Sequence, residues 1–156
     1  MREIKFRGKR IGGGEWEYGC LLVKGYHTWI LNNKVNMKQC MCDIKITTKP
    51  IPVIPETVGQ YAEAKDKNGA EIYEGDIISL VTEDGEPITI ECKFGKVQRQ
   101  IFENLVEITG FYFERSNDGR KTFPIVNNYL HKHDTEIWQV IGNIHDNPEL
   151  VEEEQK

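Results

Sequence analysis

Hydrophobic and polar positions alternate in short runs along the chain, and turn-forming residues separate the runs. Ile4 and Phe6 alternate with Lys5 and Arg7, the period-two pattern of a strand with one buried face, and Gly8 ends that run. Ile11-Gly-Gly-Gly-Glu15 is a turn that joins it, hairpin fashion, to a second run starting at Trp16. Trp16, Tyr18, Cys20 and Leu22 share one face of that run, while Leu21 and Val23 on the other predict cover on both sides at its far end. Residues 26–31 read as a third strand, residues 32–36 as a turn, and residues 43–48 alternate again. Pro50, Pro52 and Pro55 hold the next residues extended without supplying ladder donors, which marks a linker or a sheet edge. The stretch 55–78 is the junction: Thr57 is suited to cap a short helical turn, Asn68-Gly69 is a turn dipeptide, and a strand begins at Ile72.

Beyond the junction, residues 76–82 are strand-like and residues 83–87 form a turn. Ile88, Ile90, Cys92 and Phe94 then alternate in the cleanest strand of the chain. Gly95 punctuates it, residues 105–115 form another strand with a bulge expected at Gly110, and Ser116-Asn-Asp-Gly119 is a turn. Strands are expected over 121–126 and 136–144, followed by an acidic tail with too few apolar residues to bury. No long amphipathic helix or internal repeat is visible in the sequence. Short strands with turn signals every 8–12 residues predict a mainly β chain with few short helical turns. The expected organisation is a small N-terminal sheet over 1–50, a junction over 51–75, a C-terminal SH3-like or other small β-barrel over 76–146, and a tail over 147–156, all packed as one compact unit.

With 156 residues, 38% of them hydrophobic and 10% aromatic, the chain is large enough for a real core. The net charge of −5 supplies no global attraction to nucleic acid or anionic lipid. The N-terminus lacks the apolar core of a signal peptide, and no segment approaches the ~20 apolar residues of a membrane span. A cytoplasmic protein with reduced thiols is therefore expected, in which Cys20, Cys40, Cys42 and Cys92 act as small apolar fillers.

Candidate chemistry is sparse. Glu74 and Asp76 stand two apart, so on a strand both carboxylates face one side, an arrangement suited to acid/base or metal work with Asp66 nearby in sequence. The stronger reading is a tight turn at Gly75-Asp76, with the Asp carboxylate accepting backbone N–H groups. His131-Lys-His133-Asp134, with Cys40 and Cys42, has metal-ligand residue types but not the spacing of a zinc site, so no metal is expected. Gly12-Gly-Gly14 lacks the Lys-Ser/Thr of a phosphate loop, and neither a Ser-His-Asp order nor a Gly-x-Ser-x-Gly elbow is present. Arg2, Lys5, Arg7, Lys9 and Arg10, interleaved with Phe6 and followed by Trp16, form the densest basic cluster, a face suited to single-stranded nucleic acid or simply a solvated outer face.

Five stretches carry a resemblance: residues 1–9 (Met-Arg-Glu-Ile-Lys-Phe-Arg-Gly-Lys), 54–61 (Ile-Pro-Glu-Thr-Val-Gly-Gln-Tyr), 66–69 (Asp-Lys-Asn-Gly), 72–77 (Ile-Tyr-Glu-Gly-Asp-Ile) and 140–144 (Val-Ile-Gly-Asn-Ile). Together they resemble the YopX family of bacteriophage and prophage proteins, over nearly the whole chain. The sequence departs from the pattern at Ala62-Glu-Ala64, where the family often has a Thr-Gly-Leu-like tripeptide. The resemblance implies a mainly β protein of phage or prophage origin, with no established enzymatic activity or cofactor. The resulting expectation is a non-enzymatic binding or assembly module that forms homo-oligomers or takes a host or phage protein partner. Exposed aromatics such as Tyr26, Trp29 and Tyr112 would supply contacts, with Lys5, Arg7, Lys9, Arg10, Trp16, Glu74 and Asp76 as candidate binding residues. The alternative is an accessory nucleic-acid binder using the N-terminal basic strand, and a third option is a small metal-dependent hydrolase using Glu74 and Asp76.

Overall fold

The structure is a computed structural model, and it describes residues 3–32, 37–39, 44–46, 49–81, 85–122 and 132–152. The chain divides into two compact units, Met1–Tyr61 and Ala62–Lys156. It is mainly β, as the alternation predicts, with open antiparallel sheets and short helical turns.

The first unit contains β1 (Phe6–Lys9), β2 (Trp16–Lys24), β3 (His27–Asn32), β4 (Met37–Gln39), β5 (Ile44–Ile46), β6 (Ile51–Pro52) and a 3₁₀ turn at Pro55–Thr57. Its strand order is β6-β3-β2-β1 followed by β7 (Gly59–Lys65), which runs past the unit boundary. β4 and β5 pair antiparallel as a separate two-stranded sheet. Ile30, Leu31, Val53 and Tyr61 are buried. Gly19 is required where β2 meets β3, because a Cβ there would run into the backbone carbonyl of Leu31. β1 departs from the simple one-face pattern: Ile4 is exposed, Phe6 is half-buried and Arg7 is buried. The strand is central, paired with both β2 and β7, so a long cationic stem on it is covered by its neighbours.

The second unit contains β8 (Glu71–Tyr73), which neighbours β7, and a sheet ordered β12-β11-β10-β9-β13. Its strands are β9 (Asp76–Val81), β10 (Pro87–Ile101), β11 (Asn104–Arg115), β12 (Lys121–Thr122) and β13 (Gln139–Asn143). Ile72, Ile78, Cys92 and Phe113 are almost fully buried, and Trp138 stacks on Phe113 with ring centroids 4.6 Å apart. The expected barrel is not closed. Of the strand expected over 121–126, residues 123–126 lie outside the described residues and the described part, β12, pairs with β11; at the other edge, β13 shifts register between Val140 and Gly142, which interrupts the regular ladder that closure needs.

Three other expectations change. Glu136 and Ile137 belong to the short helix α1 (Lys132–Ile137), so the last strand starts later than its alternation suggests. The acidic tail is helical at α2 (Glu149–Glu152), where Leu150 and Val151 are half-buried. Gly95 does not end β10 and Gly110 marks no bulge: the two face each other in an unbroken register that runs from Ile90↔Arg115 to Ile101↔Asn104.

That glycine pair marks a change of polarity instead. Before it, the core face carries Ile90, Cys92, Phe111 and Phe113; Phe94, stacked edge-on against Phe111, is already 44% exposed. Past it, the continuation of the same face carries Lys96, Gln98, Gln100, Glu107 and Thr109 before Leu105 at its end, while Val97, Val106 and Ile108, with Arg99 among them, occupy the opposite face. β9 pairs with β10 only over Pro87–Glu91 and β12 with β11 only at Phe113 and Glu114. From Lys93 to Tyr112 the pair is therefore a two-stranded ribbon within the described sheet.

Candidate functional site

The quoted motifs meet at turns. In the first unit, Lys9 N–H donates to Thr57 Oγ1 at 2.8 Å, and that hydroxyl donates to the Ile54 carbonyl at 2.7 Å, so the Pro55–Thr57 turn is tied to β1. Thr57 is not the N-cap of the turn, which is Ile54; its hydroxyl links the Ile54 carbonyl to the neighbouring strand. In the second unit, Asp66 Oδ1 accepts the N–H groups of Asn68 (2.8 Å) and Ala70 (2.9 Å), while Oδ2 accepts that of Val140 (3.1 Å). Burial alone would raise the Asp66 pKa, but these donors outweigh it and hold the carboxyl below its ordinary value. The Asp66 turn and the Val140 segment are thereby clamped together, with Lys67 N–H donating to the Trp138 carbonyl at 3.0 Å.

The Gly75-Asp76 pair is the tight turn anticipated. Asp76 is 1% exposed and its Oδ2 accepts Tyr73 N–H at 2.7 Å. Gly75 has φ 81°, donates its N–H to the Cys92 carbonyl and accepts from Ile144 N–H. Glu74 is half-buried beside it. At the point where the tripeptide departs from the family pattern, Glu63 has φ 60°, a left-handed conformation that a glycine would adopt without strain. Among the described residues, no group of three or more His, Cys, Asp or Glu is placed to hold a metal ion. Cys40, Cys42 and His131 lie outside the described residues, and of His133 only the backbone within α1 is described. Cys92 is a buried filler as expected, whereas Cys20 is exposed.

The basic strand is organised around rings. The Arg7 guanidinium lies 4.5 Å from the Trp16 ring centroid, Lys9 Nζ 5.8 Å from the same ring, and Lys5 Nζ 5.3 Å from that of Tyr61. Arg10 is exposed and stands 3.9 Å from Glu15. Thus Lys5, Arg7, Lys9 and Trp16 gather in one place, while Glu74 and Asp76 belong to the other unit. A second charged cluster, missed in the sequence, lies on the solvent side of β10 and β11. Glu91 faces Glu114 across the ladder, and Lys93 Nζ bridges them at 3.1 and 3.0 Å. Burial would lower the Lys93 pKa, but the two carboxylates raise it above its ordinary value. Tyr112, under Lys121, is pushed up by burial and by Glu114.

Two further surfaces are displayed. In the first unit, Ile11, Tyr26, Trp29, Pro52 and Pro55 line an apolar cleft of about 70 Å³, with Tyr26 98% exposed and Trp29 tilted against His27 at 5.6 Å. In the second, the ribbon ends in a two-residue loop at Phe102-Glu103, where Phe102 has φ 53° and is 93% exposed. Leu105 beside it is 63% exposed. Nothing in the sequence's alternation signalled this tip, because a phenylalanine occupies the loop position that glycine usually fills.

The chain matches the family described as YopX protein over residues 6–152. It is also similar to the crystal structure of protein EF1440 from Enterococcus faecalis, at 20% sequence identity and a TM-score of 0.55, covering 97% of this chain and 99% of that one. That likeness concerns the fold. No curated protein matches the chain.

Proposed function

The chain belongs to the YopX family, and from that premise we propose that it is a phage- or prophage-encoded, non-enzymatic binding and assembly module working in the cytoplasm of a bacterial host. The observation that carries this reading is the β10–β11 ribbon, which runs beyond its neighbours among the described residues, turns Val97, Val106 and Ile108 to the face opposite the core, and presents Phe102 and Leu105 to solvent. Apolar surface arranged this way lowers the free energy of the protein only when something covers it. The acids that suggested chemistry have other work, since Asp66 and Asp76 accept backbone N–H groups at turns. Nucleic acid ranks second as a partner, because Lys5 and Arg7 pack on Tyr61 and Trp16 and Arg7 is buried, which withholds it from phosphates.

Light scattering of the pure chain, together with capture of host proteins on immobilised wild-type and Phe102→Gly protein, tests the proposal. The expected result is an oligomer, or a captured protein, that is lost in the variant. A strictly monomeric chain with no capture dependent on Phe102 refutes it.

A further inference from the structure

Resting on the assembly reading above, we infer that copies of this chain join head to tail: the β10–β11 ribbon of one copy seats Phe102 in the cleft between Ile11, Tyr26 and Trp29 on the first unit of the next.

Three features carry this inference, and the first of them selects a second copy as the occupant. The first is charge. Met1–Tyr61 contains ten Lys and Arg against five Asp and Glu, whereas residues 62–156 contain ten against twenty. Contact between a first unit and another copy's second unit is therefore attractive, and contact between like units repulsive.

The second is the shape of the knob. Phe102 holds φ 53°, a left-handed conformation that a non-glycine residue adopts only at a cost, yet its ring is almost wholly in water. Gln100 Nε2 donates to the Phe102 carbonyl at 3.1 Å and Ile101 pairs with Asn104, so the loop that displays the ring is built rather than loose. Val97, Val106 and Ile108 add apolar surface on one face of the ribbon, with Arg99 opposite Val106.

The third is the socket. A cavity of about 150 Å³ holds a whole benzene ring. The open cleft of about 70 Å³, walled by Tyr26, Trp29 and two prolines, suits a phenyl ring entering by its edge. Edge-to-face contact with an aromatic lining residue such as Tyr26 or Trp29 is also a favoured geometry for aromatic pairs. Because knob and socket are different surfaces of the same chain, the contact repeats from copy to copy until it closes into a ring or grows as a filament.

The test uses complementation between full-length variants, followed by sedimentation velocity. Phe102→Gly removes the knob and relieves its backbone strain, and Phe102→Asn, which also accepts that φ, serves as a second variant. Ile11→Asp and, separately, Tyr26→Ala spoil the socket at positions that are 57% and 98% exposed. Circular dichroism confirms that each variant folds. Wild type is expected to form species larger than dimers at low salt and to lose them at about 0.5 M salt, where charge attraction is screened. Each variant alone should be monomeric, and a mixture of Phe102→Gly with Ile11→Asp should give dimers, since one intact knob meets one intact socket.

Association that survives both socket variants overturns the inference in favour of ribbon-to-ribbon contact. A monomeric wild type that captures another protein through Phe102 overturns it while leaving the assembly reading standing. A monomeric wild type that instead shifts single-stranded DNA assigns the basic unit to nucleic acid and also overturns it.

Discussion

Asp66 is the residue whose loss should be felt furthest from its own position. In Asp66→Asn, one oxygen remains to accept from Asn68 and Ala70, but an NH₂ group replaces the oxygen that accepts from Val140, so two donors face each other. Asn68 and Ala70 are exposed, and water replaces part of what their N–H groups lose. About 0.5 kcal/mol each is a reasonable cost there, while the clash at half-buried Val140 adds about 2 kcal/mol, for a total of about 3 kcal/mol. With a urea m-value of about 2 kcal/mol/M, the unfolding midpoint should fall by about 1.5 M at neutral pH.

The pH dependence has a fixed sign. A carboxyl whose folded pKa lies below its unfolded value contributes stability that is complete above the unfolded pKa, near 4, and that is lost as pH falls through the folded pKa. The difference between wild type and Asp66→Asn should therefore shrink below about pH 4. Urea titrations at neutral and acidic pH, with amide exchange at Val140 as the local readout, measure both effects. An unchanged midpoint and unchanged Val140 protection would show that the clamp contributes nothing.

Other outcomes are similarly defined. Gly19→Ala would drive a methyl group into the Leu31 carbonyl and should destabilise the β2–β3 pair by about 3 kcal/mol or prevent folding, read from the thermal midpoint. Lys93→Met leaves Glu91 and Glu114 facing each other without their bridge and should cost about 1 kcal/mol at neutral pH, recovered when the carboxylates are protonated. In wild type the stabilisation from Lys93, whose folded pKa is raised, is complete below its unfolded pKa and is lost as pH climbs through the folded one, which urea titrations from neutral to strongly alkaline pH would follow. Gel-shift titration with single-stranded DNA should show no complex even at low salt; a complex whose affinity falls steeply with salt would revive the basic-strand reading.

The fold class was legible because alternation reports which residues face a core, and Ile88, Ile90 and Cys92 obey it. The turn at Gly75-Asp76 was legible for a similar reason, since a short acid after glycine has few better uses than satisfying nearby N–H groups. Closure was not legible. Whether an edge strand is regular depends on distant partners, and nothing local announced the register shift between Val140 and Gly142. The length of β10 was hidden too, because a single glycine reads as punctuation, while facing Gly110, with Tyr112 3.8 Å from where a Gly95 Cβ would stand, it is one rung of a longer ladder. Burial of Arg7 defeated the pattern because an aromatic ring shelters a guanidinium as readily as it shelters an aliphatic chain.

The Gly95–Gly110 rung gives one continuous hairpin two sets of constraints. On the near side, tolerated substitutions are dictated by the molecule's own interior; on the far side, under the proposed assembly, they would be dictated by the surface that receives the ribbon. A lineage in which that receiving surface changed would then be free to rewrite the outer half of the hairpin while the inner half, and the scaffold it anchors, stayed as they were.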